Sequence, residues 1–104
     1  MRKKKSEILS NEFKVAAQIY ECNEKGDNIW FTKLAELLKD HMSQSTVINS
    51  LRTLFDWGIV TAQYGETDKK RAGRLLFISG ESKETIKQIY EKFWKNRAHP
   101  NKSE

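Results

Sequence analysis

The stretch from Phe31 to Val60 restricts the fold of this chain more than any other. It reads FTKLAELLKDHMSQSTVINSLRTLFDWGIV, two short amphipathic segments joined by the turn Lys39-Asp40-His41-Met42. In the first segment Leu34, Leu37 and Leu38 stand at i, i+3, i+4 spacing, so they share one helix face and are expected in the core. Thr32 is its expected N-cap, and Ala35 lets another helix approach. In the second, Ser43 is the expected N-cap and Gln44 the first helical residue. Val47, Leu51, Leu54 and Phe55 form its apolar stripe. Gly58 follows Trp57 where a helix can end in a left-handed residue. Opposite the stripe lie Gln44, Ser45, Ile48, Asn49 and Arg52, and no acidic residue occurs in this helix before Asp56.

The flanks supply the remaining elements. A helix is expected from Glu7 or Ser10 to Glu24. It carries one stripe of Leu9, Phe13, Ala16, Ala17 and Tyr20, and a second of Ile8, Val15, Ile19 and Cys22 roughly 120° away. Two stripes imply burial on two sides. Gly26 or Asn28 is suited to a left-handed cap. Ile29, Trp30 and Phe31 are too short a run for a helix and suit a brief strand that joins a sheet. After Gly58, two β-prone runs, Ile59 to Tyr64 and Arg74 to Ser79, enclose a polar loop bounded by Gly65 and Gly73 and read as a hairpin. Val60, Ala62 and Tyr64 share one face of it. Ser79 or Ser82 opens a last helix with Ile86, Ile89, Tyr90, Phe93 and Trp94 on one face, ended by His99-Pro100. The domain is expected over residues 7–97, between a basic tail at 1–6 and a second tail at 98–104.

Composition narrows the function. A chain of 104 residues supports one domain with a modest core. Its net charge of +5 favours an anionic partner, nucleic acid before an acidic protein or a membrane surface. Its single cysteine, Cys22, excludes an intramolecular disulfide and suits the reducing cytoplasm. On the inner side of a helix it reads as a small buried apolar residue, with a redox-sensing thiol as the alternative. No apolar run is long enough to span a bilayer, and no secretory signal follows the first basic residues. Phosphate-loop, serine-hydrolase and zinc-protease motifs are absent, and His41 and His99 are too few and too distant to form a metal site with Cys22. An enzyme is not expected, nor a cofactor.

The expected class is mainly α with a small β-sheet, in the order helix, short strand, helix, turn, helix, β-hairpin, helix. With FTKLAELL, MSQSTVINSLRTLFDWGIV and DKKRAGRLLFIS in that order, the chain from about Ile29 to Thr85 resembles the winged helix-turn-helix regulators, most of all those of the MarR type. It is shorter than those proteins usually are, with one helix after the hairpin where they usually have two. The resemblance implies a transcriptional regulator that binds double-stranded DNA. Its effector and operator are not given by the sequence.

The residue chemistry agrees with that implication. B-DNA's major groove admits one α-helix. Gln44 and Asn49 can pair bidentately with adenine and Arg52 with guanine, and Ile48 can pack on a thymine methyl. Ser43, Ser45 and Thr46 stand where hydroxyls and helix N-terminal amides suit a phosphate. From pattern alone, an ordinary solvated helix face fits equally well. The basic loop two elements later, with Lys69, Lys70, Arg71 and Arg74, favours DNA. That loop either reaches phosphates and a minor groove, or is solvated charge that prevents edge pairing. Arg2, Lys3, Lys4 and Lys5 form either a frayed start or an arm on DNA. Ile8, Val15, Ile19, Ile86, Ile89, Tyr90, Phe93 and Trp94 are assigned to a homodimer interface of first and last helices, with completion of the core as the alternative. A dimer would match a palindromic site. The rivals to a regulator are a winged-helix module for protein assembly and a nonspecific nucleic-acid binder.

Overall fold

The computed structural model describes residues 9–67 and 71–95. The chain-terminal residues, including Ile8, the basic run at 2–5 and the expected tail at 98–104, lie outside them, as do Lys69 and Lys70.

Helix α1 spans Asn11–Lys25. Ser10 caps it by accepting from the Phe13 amide, and Gly26 closes it in the left-handed region at φ 75°. Both expected stripes are used within one chain. Val15, Ala16, Ala17 and Ile19 are fully buried, and Tyr20 and Cys22 nearly so. The helix packs against α3 (Gln44–Asp56) on one side and α4 (Lys83–Ile89) on the other, with the hairpin strand β2 (Ala72–Ile78) across its C-terminal half.

Helix α2 spans Phe31–Leu37 and begins one residue before its expected cap. Trp30, with extended backbone at φ −136°, takes the cap position, its carbonyl accepting from the Leu34 amide at 2.8 Å, so Thr32 lies inside the helix. Leu34 and Leu38 are buried, whereas Leu37 is 44% exposed. A helix this short offers the core one i, i+4 row, and the i+3 position turns outward. Ile29 is buried, and its carbonyl accepts from the Leu76 amide at 2.8 Å, but the expected brief strand is reduced to that single bond.

The sheet of the described residues has two antiparallel strands, β1 (Val60–Glu66) and β2, in register from Val60↔Ile78 to Glu66↔Ala72. Its far edge is held by a side chain. Asn23, on α1, donates from Nδ2 to the Leu76 carbonyl at 3.2 Å and accepts at Oδ1 from the Ile78 amide at 3.0 Å. The primary amide thus imitates a strand neighbour, satisfying groups that an edge strand leaves open. Asn23→Ala removes both bonds from a half-buried edge. It is expected to cost about 2 kcal/mol, read as a lowered denaturation midpoint with an unchanged slope in urea.

After the hairpin, a 3-10 turn at Gly80–Ser82 leads into α4, which widens to a π turn over Tyr90–Trp94, the Lys95 amide donating to the Tyr90 carbonyl at 2.7 Å. The widening decides which aromatic enters the core. In an uninterrupted α-helix Phe93 stands seven residues after Ile86 and shares its face. A π turn absorbs one extra residue, and Trp94 takes the inward place, fully buried, while Phe93 is half-buried. The indole donates from Nε1 to Gln18 Oε1 at 3.4 Å and its ring lies 4.9 Å from the His41 ring.

This overturns part of the dimer assignment. Val15, Ile19, Ile86 and Trp94 are between 0% and 1% exposed in a single chain and offer no surface to a second copy. They complete the core, the alternative that the sequence left open. Ile89, Tyr90 and Phe93 are half-buried.

Candidate nucleic-acid interface

Helix α3 is fixed at both ends by local chemistry. Ser43 Oγ accepts from the Thr46 amide at 3.2 Å and lies 3.0 Å from Thr46 Oγ1. At the other end Gly58, at φ 76°, donates to the Phe55 carbonyl at 3.0 Å, and the Ile59 amide donates to the Leu54 carbonyl at 3.0 Å. This paired closure needs a left-handed residue, which glycine adopts without strain. It turns the chain directly into β1.

Between these ends, Val47, Ser50, Leu51 and Leu54 are buried and Phe55 is half-buried. Rotation about the helix then dictates the rest. Gln44, Ser45, Ile48, Asn49 and Arg52 are all exposed, together with Ser43, while Thr46 is half-buried. Ile48, at 40% exposure, is an apolar side chain in the middle of this polar face. The Ser43 and Thr46 hydroxyls face each other in the cap, and the Thr46 amide is already satisfied. The first-turn amides of Gln44 and Ser45 remain at the helix's positive end, where an anion is favoured. Beside that end, an open hollow of about 410 Å³ is lined by Thr32, Lys39, Ser43 and Gln44 among others. Lys39 is hydrogen-bonded to the Glu36 carboxylate at 2.9 Å, which raises the ammonium pKa and keeps it charged.

The hairpin adds the second group of cations. The Thr67 amide donates to the Arg71 carbonyl at 2.8 Å, which carries the pairing one step past the strand ends. Arg71 and Arg74 are exposed. Arg74 is not a solitary charge: its guanidinium lies 5.5 Å from the centre of the Phe55 ring, on α3. Directly across the hairpin from Arg74 stands Tyr64, 80% exposed. The sequence put Tyr64 on one face with Val60 and Ala62. The face is the right one, but it outruns the core. Counting cross-strand partners outward from the loop would have paired Tyr64 with Arg74 and exposed the difference.

The architecture has relatives among solved structures. The fold is similar to that of the circadian clock associated protein Pex from Anabaena, with a TM-score of 0.64 at 17% identity, covering 85% of this chain and 79% of that one. Pex from Synechococcus sp. strain PCC 7942 superposes with a TM-score of 0.55 at 18% identity, over 82% of each chain. Likeness at this identity shows a shared fold. No family model matches the sequence, and no curated protein does.

Other chemistry is sparse. Burial raises the Cys22 thiol pKa, countered in part by the Gln18 amide that donates to Sγ at 3.8 Å. A raised pKa lowers the thiolate fraction that a redox sensor needs. Among the described residues no cluster of histidine, cysteine and acidic side chains is placed to hold a metal ion, and no helix is long and apolar enough to cross a membrane.

Proposed function

We propose that this chain is a winged helix-turn-helix protein that reads double-stranded DNA with α3 and steadies it with the hairpin, and that it acts as a transcriptional regulator. The observation that carries the reading is the outer face of α3. Five adjacent exposed side chains, Gln44, Ser45, Ile48, Asn49 and Arg52, hold donors, acceptors and one apolar group on a helix with no acid before Asp56. That set matches what base edges offer in a major groove. Arg71 and Arg74 support it by adding positive charge on the neighbouring element. The MarR-type affinity rests on the sequence motifs.

A homodimer belongs to the same reading. With Val15, Ile19, Ile86 and Trp94 spent in the core, its contact would use the half-buried Ile89, Tyr90 and Phe93, joined by Phe13 and the 57% exposed Trp57, whose rings lie 6.4 Å apart. Two copies would double the contacts and match half-sites about one helical turn apart.

The test is selection from random duplex DNA at rising salt. Base reading predicts an enriched sequence that outcompetes unrelated duplex by roughly 10³ or more. Salt-sensitive binding that enriches nothing would leave a nonspecific binder. No binding at about 50 mM salt, where phosphate contacts are strong, would end the DNA reading.

A further inference from the structure

We infer that Phe55, Arg74 and Tyr64 form one continuous ridge, starting beside Arg52 on α3, that carries a phosphate strand of duplex DNA from α3 to the hairpin, with Tyr64 as a contact residue and Phe55 as the perch that positions Arg74. The inference rests on the DNA reading of α3 and adds two residues which that reading does not use, Tyr64 and Phe55.

The geometry supplies each link. Arg52 and Phe55 are three apart on α3, so they neighbour each other on its surface. The Arg74 guanidinium lies over the Phe55 ring at 5.5 Å, where the ring's negative face attracts a cation. Tyr64 opposes Arg74 in the strand register and therefore projects from the same face of the hairpin. Along that face the pairs Val60↔Ile78 and Ala62↔Leu76 run from the core outward, and Tyr64↔Arg74 is the next pair beyond them. Tyr64 is 80% exposed, the most exposed large apolar side chain among the described residues. The nearest acids in sequence are Asp56, which ends α3 four residues after Arg52, and Glu66, which ends β1.

An exposed phenol beside a fixed guanidinium fits a phosphodiester. The guanidinium supplies charge and forked donors, and the phenol supplies one neutral O–H donor to a phosphate oxygen. The Phe55 ring attracts the guanidinium while Arg74 stays exposed to solvent. An arginine so held has less freedom to lose on binding. The occupant is double-stranded DNA because the ridge continues the α3 face and its charge is positive.

Four variants on the duplex selected by the wild type test this. Tyr64→Phe is expected to weaken binding about fivefold, in the range of one lost hydrogen bond, at an unchanged salt slope and an unchanged selected sequence. Arg74→Ala is expected to weaken it about tenfold and to reduce the salt slope by about one. Phe55→Leu keeps apolar bulk and removes the perch. It is expected to weaken binding in the wild-type background and to have no further effect in the Phe55→Leu, Arg74→Ala double variant. That dependence is what a merely structural Phe55 would not produce. Circular dichroism checks that each variant is folded. If the wild type selects a sequence but Tyr64→Phe and Arg74→Ala bind like it, the ridge is overturned and the α3 reading survives. If Tyr64→Phe changes sedimentation and not DNA affinity, Tyr64 serves a protein contact and the ridge is again overturned. If the wild type binds no duplex, both fall.

Discussion

Asn49→Ala with Arg52→Ala is expected to erase sequence selection and leave a folded protein that still binds DNA weakly. Both side chains are exposed, and neither donates to nor accepts from the core, so the stability change should stay within about 0.5 kcal/mol. Each bidentate base contact is worth about 1–3 kcal/mol of discrimination. Losing two therefore costs roughly 2–6 kcal/mol, or from about 30-fold to more than 10⁴-fold in the ratio of selected to unrelated duplex. The double variant also sheds one positive charge, so the salt slope should fall by about one. Arg71, Arg74 and the amide end of α3 remain, and phosphate binding should persist. Competition between selected and unrelated duplex, run at two salt concentrations, separates these two losses. A double variant that selects the same sequence would mean that α3 presents its outer face to something other than base edges.

The α3 face was legible in the sequence because everything that orients it is local. Ser43 and Gly58 fix its ends within one turn, and the spacing of Val47, Leu51 and Leu54 fixes its rotation. The hairpin was legible for a similar reason, since glycines bound its loop and the runs on either side alternate. What the sequence did not yield depends on partners far along the chain. Asn23 holds β2 from 53 and 55 residues away, and nothing in its neighbourhood marks it as more than a polar helix residue. Thr32 had the better side chain for a cap, yet the buried Ile29 draws the preceding backbone toward Leu76, and the helix starts at Phe31 instead. Leu37 fitted the helical template and still faces outward, because periodicity gives a stripe without saying how wide the partner surface is. Apolar load on α1 and the last helix was visible, but a stripe that packs inside one chain looks the same in sequence as one that packs on a second copy. Lys69 and Lys70, two of the expected hairpin contacts, lie outside the described residues.

Trp94 provides the measurement that separates these two uses of an apolar stripe. It is the largest fully buried side chain among the described residues, and its position depends on the π turn that brings it, and not Phe93, inward. Trp94→Ala is expected to cost about 3–5 kcal/mol, a large share of the roughly 5–15 kcal/mol that holds a domain together. At about 4–8 °C per kcal/mol for a domain of this size, the melting temperature should drop by about 12 °C or more. Trp94→Phe keeps an aromatic ring but removes the Nε1 donor to Gln18 Oε1, and should cost about 1–3 kcal/mol. The decisive control is protein concentration. A residue in the core of one chain lowers stability by the same amount at every concentration. A residue between two copies acts through association, so its loss would be felt most where the protein is concentrated enough to be assembled. Urea melts of wild type and Trp94→Phe at concentrations a hundredfold apart should therefore give one constant difference. A difference that shrinks on dilution would return Trp94 to the interface and would require the last helix to pack differently on α1 when a second copy is present.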